Sequence, residues 1–98
     1  MLSVQRIAGE FKIDSDELLQ KSLKLYLQQR LIKVEAELFQ YCKKYGIKTV
    51  FEMDEHLKAG ILKENDIIDD FFAFDHLEHE RERLINLLEE SGTVYDNN

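Results

Sequence analysis

The side chains best suited to bind a metal ion are concentrated in residues 75–80, Asp-His-Leu-Glu-His-Glu. Asp75 with His79, and His76 with Glu80, are four residues apart, so each pair shares one face of a helix. Carboxylate and imidazole groups could bind a transition metal if another helix supplied a further carboxylate. A di-metal centre in a helical bundle, however, needs a Glu-x-x-His motif from each of two helices, and the sequence has none. A metal-binding helical bundle is therefore an alternative function, and a salt-bridged, solvated face is the expected role of these residues.

The sequence offers little for nucleophilic catalysis. Cys42 is the sole cysteine, and it lies near the end of an apolar helical stripe with no histidine close to it in sequence. This environment is typical of a small buried hydrophobic residue rather than a reactive thiolate. No glycine-rich loop could cradle a phosphate. We expect a protein that is not an enzyme and needs no cofactor.

Charge is divided unevenly along the chain, and this asymmetry favours a protein partner. Residues 1–50 carry nine Lys and Arg against six Asp and Glu, a balance of +3; residues 51–98 carry four against fourteen, a balance of -10. An acidic half of this size repels nucleic acid and attracts a basic protein. The residues predicted to bind this partner are Phe72, Glu78, Arg81 and Glu82.

Arg81 interrupts an apolar line between Leu77 and Leu84. An arginine at such a position either extends its charge to solvent or meets a carboxylate on a facing helix. Glu35 and Glu37 are the predicted partners. A polar residue in an apolar seam can fix helix register, so Arg81 is a candidate specificity residue.

The aromatic cluster at Phe71, Phe72 and Phe74 cannot point to one side of a helix, because consecutive residues are 100° apart. Phe72 is the ring predicted to face away from the core. We expect it to pack under a short connecting helix; the alternative is that it anchors a partner.

The elements that position these residues are helices. The chain has no proline and four glycines, and it is rich in Leu, Glu, Lys and Gln. Capping residues and apolar spacing predict four helices, from Ser3 to about Phe11, Asp14 to Gly46, Thr49 to Gly60, and about Asp66 to Ser91.

The predicted fold is all-α: a long antiparallel helical hairpin with short N-terminal and connecting helices, in one domain over residues 1–92. Residues 93–98 are expected to be a frayed tail. No apolar run approaches the length of a membrane span or a secretion signal, so we expect a cytoplasmic protein. The residues predicted to form the seam are Leu27, Leu31, Val34, Leu38, Phe74, Leu77, Leu84 and Leu88.

A second apolar line repeats every seven residues along the long helix, at Leu18, Leu25, Ile32 and Phe39. Together the two lines make a stripe wider than one neighbouring helix can cover. We therefore expect a homodimer that forms a helical bundle.

Residues 3–23 have the outline of a helix-turn-helix, which makes a nucleic-acid-binding regulator the alternative function. The second helix would begin with Asp14, Asp16 and Glu17. These carboxylates would face DNA phosphates, so we expect nucleic acid not to be the partner.

The run from Glu35 to Leu88 resembles a group of small archaeal and bacterial helical proteins found beside a predicted toxin nuclease. The matching pieces are Glu35-Ala36-Glu37, Lys44-Tyr45-Gly46, Phe51-Glu52, Gly60, and Asp75-His76-Leu77-Glu78 with Arg81 to Leu84. The resemblance implies an antitoxin-like role, in which the protein neutralises a basic toxin-like nuclease by binding it. It assigns no functional residue.

Overall fold

A computed structural model describes residues 1–92, and the tail predicted at residues 93–98 lies outside this range. The described chain forms four helices and no strand, which confirms the all-α fold class. The helices are Val4–Phe11 (α1), Ser15–Tyr45 (α2), Val50–Lys58 (α3) and Glu64–Glu90 (α4). None of these four helices has both the length and the apolar character that crossing a bilayer requires.

The predicted N-caps of the first three helices are confirmed. Ser3, Asp14 and Thr49 each accept a hydrogen bond from the backbone N–H three residues later, with donor–acceptor distances of 3.1, 3.0 and 3.2 Å. Each bond satisfies one of the N–H groups that a helix start leaves unpaired. The starts of these three helices can therefore be recognised from the local sequence.

The helix α4 begins at Glu64, two residues before the predicted start near Asp66. Its N-cap is Lys63, whose side chain makes no capping hydrogen bond. The helix start therefore lacks the usual sequence signal. Glu64 and Asp66 instead place negative charge in the first turn, where it interacts favourably with the helix dipole.

Gly46 ends α2 as predicted. Its φ of +64° is in the left-handed region, which a glycine adopts without steric cost. The backbone N–H of the next residue, Ile47, donates to the carbonyl of Cys42 at 3.0 Å, and the Ile47 side chain is buried. This turn sends the chain back along α2 and makes the hairpin possible.

Helices α2 and α4 pack antiparallel, since Tyr45 at the end of α2 meets Asp70, whereas Arg30 further back meets Glu80. The eight predicted seam residues lie between or beside the two helices: Leu27 is half-buried and the other seven are buried. The antiparallel hairpin is thus confirmed. The core also takes in Met53 of α3, which is fully buried.

The fold is elongated, with extents of 61 × 29 × 17 Å. Its radius of gyration is 18.8 Å, against about 13 Å for a compact chain of this size. Leu19 and Leu23, which continue the inner stripe of α2 in sequence, are exposed. The hairpin therefore covers the apolar stripe of α2 only from about Leu27 onward. This agrees with the length of α2, which is longer than the helix that packs against it.

Candidate functional site

An open groove with a volume of about 790 Å³ runs between α2 and α4, beside the start of α3. We call it the α2–α4 groove. Its lining combines apolar side chains with four carboxylates and two basic groups. The lining residues are Glu35, Leu38, Phe39, Cys42, Lys48, Thr49, Val50, Phe74, Asp75, Glu78, His79, Arg81, Glu82 and Ile85.

Three of the four residues predicted to bind a partner line this groove: Glu78, Arg81 and Glu82. They share it because residues three and four apart in a helix project from one face. Phe72 lies elsewhere. Sequence reasoning had not included Phe39 and Ile85, whose side chains add apolar surface to the same groove.

Arg81 meets Glu35 across the hairpin, as predicted, with 3.4 Å between Nε and Oε2. Both side chains are partly buried, at 24% and 35% exposure. This ion pair offsets much of the positive charge of Arg81 locally. The remaining lining carboxylates, Asp75, Glu78 and Glu82, therefore outnumber the remaining cation, Lys48, and make the groove acidic.

Glu78 also has a structural contact. Its Oε1 accepts a hydrogen bond at 3.2 Å from the backbone N–H of Val50, the first residue of α3. This bond ties the start of α3 to α4 and fixes one end of the groove. Glu82, one turn further along α4, is exposed to solvent. Of the two glutamates, Glu82 is thus the better placed to meet an external charge.

Phe74 lies at the buried base of the groove. Phe74 has no exposed surface and packs edge-to-face on Tyr41, with ring centroids 5.9 Å apart and an interplanar angle of 65°. This is a favoured geometry for two aromatic rings. Because Phe74 has no accessible surface, partly exposed side chains such as Val50 and Ile85 provide the apolar surface that an incoming group could meet.

Cys42 is half-buried at the edge of the floor, and its Sγ contacts the carbonyl oxygen of Lys48 at 3.6 Å. Burial raises the pKa of this thiol, and the nearby negative charges of Glu78 and Glu52 raise it further. The thiol form is therefore favoured over the thiolate, which is the reactive species. This environment agrees with the predicted role of Cys42 as a small hydrophobic residue.

The expectation that Phe72 packs under the connecting helix α3 is wrong. Its side chain is 62% exposed and lies edge-to-face beside Phe71, with centroids 5.8 Å apart. It lines the edge of a smaller groove that includes Leu57 of α3. The 100° turn between neighbours on a helix places Phe72 outward once Phe71 and Phe74 face the core.

Two carboxylates of α4, Glu80 and Asp70, make contacts with α2 that were not among the predictions from the sequence. Glu80 accepts a hydrogen bond from Arg30 on the opposite side of the hairpin, rather than pairing only within α4. The Arg30 hydrogen bond lowers the pKa of the Glu80 carboxyl. Asp70 likewise accepts from Lys44, at 2.7 Å, and from the Tyr45 hydroxyl.

A signal for the Asp70 contacts, but not for the Glu80 contact, lies in the register. Once Glu35 faces Arg81 in an antiparallel pair, ten residues forward along α2 correspond to about ten residues back along α4. That correspondence brings Tyr45 beside Asp70 and identifies the Asp70 contact from sequence alone.

The predicted metal-ligating pairs do not assemble into a site. His79 lies 3.6 Å from the Asp75 carboxylate, and its Nδ1 is 2.9 Å from the Asp75 carbonyl oxygen. Glu80, the proposed companion of His76, instead contacts Arg30. Across residues 1–92, no three His, Cys, Asp or Glu side chains are grouped so that they could hold a metal ion.

Residues 3–23 span α1, a short turn and the first turns of α2. The turn between α1 and α2 contains Lys12 in a left-handed conformation, with φ of 54°. Ala8 is buried, while Asp16 and Glu17 occupy the first turn of α2. The segment therefore presents acidic groups at the start of its second helix, where a recognition helix would meet DNA phosphates.

The chain matches a family model described as "Uncharacterized protein MJ0235 family" over residues 1–93. It is also similar to "Uncharacterized protein MJ0235" of Methanocaldococcus jannaschii, with 33% identity over 75 residues. That alignment covers 76% of this chain and 92% of the relative. No solved structure matches the chain.

Proposed function

We propose that this chain, which belongs to the MJ0235 family, is a non-catalytic protein-binding module that engages a basic protein partner through the α2–α4 groove. The observation that carries the proposal is the combination of an apolar floor with flanking carboxylates in one groove. An apolar floor provides buried contact area, and the charges select the partner.

The groove fits a helical segment of the partner better than a small molecule. It is open along the hairpin, and its carboxylates follow one another by turns of α4, at Asp75, Glu78 and Glu82. An amphipathic helix could place an apolar residue on Val50 and Ile85, which are partly exposed in the groove, and basic residues along the acidic side. The acidic half of the chain would speed the encounter with such a partner.

In the antitoxin-like form of this proposal, the partner is a basic toxin-like nuclease. A nuclease must present positive charge to its substrate's phosphates, and an acidic surface can cover that charge. Tight binding would then exclude the substrate. This form rests on the resemblance in residues 35–88 together with the acidity of the groove.

The test is capture of the partner by the tagged full-length chain from a lysate of its source organism, followed by mass spectrometry. We expect a basic protein, bound with an affinity that falls as salt rises. Glu82→Lys should weaken binding of this purified partner at least about 10-fold, because a repulsive charge replaces an attractive one in the groove.

Glu90→Lys is the matched control. Glu90 is also an exposed residue of α4, and its substitution changes the net charge by the same amount, but it does not line the groove. Its effect should stay within about 3-fold. Equal losses for the two variants, or recovery of the chain with no basic partner, would contradict the proposal.

The alternative, a regulator that binds DNA through residues 3–23, is favoured only by the backbone outline of α1 and α2. It predicts affinity for duplex DNA that falls steeply with salt. The groove proposal predicts no measurable duplex binding at physiological salt. A fluorescence anisotropy titration with a labelled duplex separates the two.

A further inference from the structure

One face of α2 carries an apolar line that the hairpin leaves uncovered. Leu25, Ile32 and Phe39 repeat every seven residues and are all exposed, with Ile32 at 67%. Leu18, the first residue of the line, is half-buried. A seven-residue apolar repeat is the spacing by which one helix packs along another in a coiled coil. The uncovered face therefore has the pattern of a helix–helix seam.

We propose that a second copy of this chain packs antiparallel on this face, so that the two α2 helices form the centre of a homodimer. This inference does not rest on the proposed function. It is carried by three observations: the residue sizes along the face, the charge of the face and the area that pairing would cover.

The face is self-complementary in size. Between the large residues lie Ser22, Gln29 and Ala36, which are also exposed. In an antiparallel pair centred between Gln29 and Ile32, Leu25 of one copy faces Ala36 of the other, Ile32 faces Gln29 and Phe39 faces Ser22. Large residues then meet smaller ones in these three central layers, which is how packed helices interdigitate. A parallel pair would instead place Phe39 against Phe39 and leave gaps at Ser22 and Ala36.

The charge of the face permits self-association. Over the paired span, residues 18–43 carry five Lys and Arg against two Glu, a balance of +3, whereas the whole chain has a net charge of -7. The seam positions are Leu, Ile, Phe, Ser, Gln and Ala, with Lys43 at the end of the paired span. Two copies can thus approach along this face with less like-charge repulsion than along α4, which is strongly acidic.

The contact is long enough to reach the lower bound of a biological interface. Pairing from Leu18 to Lys43 spans 26 residues, or about 39 Å of helix. A strip about 10 Å wide over this length covers roughly 400 Å² on each copy in projection. The accessible surface of the side chains is larger than this projected area, because the helix surface is uneven. The accessible surface buried on both copies together therefore reaches about the 1,000 Å² of a biological interface.

The first test is sedimentation velocity over a concentration series. We expect the wild-type chain to approach twice its mass of 11.6 kDa. Ile32→Lys should raise the dimer dissociation constant at least about 100-fold, because it buries a charge in the middle of the seam. Phe39 belongs to both the α2–α4 groove and the seam, but Ile32 does not line the groove, so this substitution tests the dimer separately from partner binding.

Ile61→Lys is the matched control for this substitution. Ile61 is also 67% exposed but lies between α3 and α4, away from the seam. It should leave the dimer unchanged. Far-ultraviolet circular dichroism checks that both variants stay helical. A wild-type chain that remains a monomer at all concentrations, or equal effects of the two variants, would overturn the proposal.

Disulfide trapping tests the orientation, in a Cys42→Ser background. A mixture of Leu25→Cys and Ala36→Cys chains should form a cross-linked heterodimer on mild oxidation, while neither variant alone should cross-link efficiently. A parallel pair would bring each position opposite itself, because residues at one heptad position face each other. Efficient cross-linking of each variant alone, with none specific to the mixture, would overturn the antiparallel arrangement.

Discussion

Replacing Phe74 with alanine should remove a large part of the stability of the fold, while the same replacement two residues earlier, at Phe72, should change it little. Phe74 is fully buried and packs on Tyr41, whereas Phe72 is 62% exposed. Truncating a buried phenylalanine costs about 3–5 kcal/mol. An edge-to-face aromatic pair adds about 0.5–1.5 kcal/mol to burial alone.

The value expected for Phe74→Ala is near the lower end of that range, about 3 kcal/mol, because Phe74 borders the open groove and water can enter the space left by the ring. A chain of this size has a total unfolding free energy of about 5–15 kcal/mol. Phe72→Ala should cost no more than about 0.5 kcal/mol, as for most exposed positions.

The assay is urea denaturation followed by circular dichroism at 222 nm, at one fixed protein concentration because self-association would add to the apparent stability. The two variants share residue type, helix and truncation, so only burial differs. Equal midpoints for Phe74→Ala and Phe72→Ala would refute the description of Phe74 as the floor of the groove.

Two further predictions concern pH and backbone conformation. The hydrogen bonds from Lys44 and Tyr45 hold the pKa of Asp70 below its usual 3.8, so the contribution of Asp70 is present above that pH and is lost as pH falls through the lowered pKa. Asp70→Asn should therefore be less stable than wild type at pH 6. The difference between the urea midpoints of the two proteins should close below about pH 4. A difference that does not change with pH would contradict this prediction. Gly46→Ala should cost about 1–2 kcal/mol, because an L-residue at φ +64° is strained. Gly9→Ala should instead gain about 0.5–1 kcal/mol of stability, because Gly9 is helical and an added Cβ meets nothing within 4 Å. Thermal melts check both variants. A change of melting temperature in the same direction for both would contradict the assignment of Gly46 as a left-handed cap.

Much of the fold follows from local sequence signals. Ser3, Asp14 and Thr49 predict where helices begin, because their side chains can accept the unpaired N–H groups of a first turn. Gly46 predicts where the long helix ends. The start of α4 was placed two residues late because Lys63 provides no such signal.

Contacts between helices were harder to predict, since they depend on register rather than on spacing within one helix. Arg81 could be paired with Glu35 because a charge within an apolar line needs a partner. Arg30 lies on a polar side of α2, where nothing in its neighbourhood indicates a contact with Glu80. The prediction for Phe72 is wrong because the sequence shows only that one ring must face away from the core. It does not show whether α3 reaches far enough to cover that ring.

The groove itself could be predicted only in part. Glu78, Arg81 and Glu82 share a face of α4 in any helical arrangement, which the sequence shows directly. The contributions of Phe39 and Ile85 depend on the rotation of the two helices about their axes. That rotation is set by packing over the whole core.

The central claim is that the α2–α4 groove recognises a basic polypeptide, and backbone amide chemical shifts test it most directly. The ¹⁵N-labelled full chain is titrated with the captured basic partner at physiological salt. We predict that the largest shift changes fall in residues 35–42 and 75–85, with smaller changes in residues 4–13. Changes concentrated in α1 and the first turns of α2, with the groove segments unaltered, would contradict the claim.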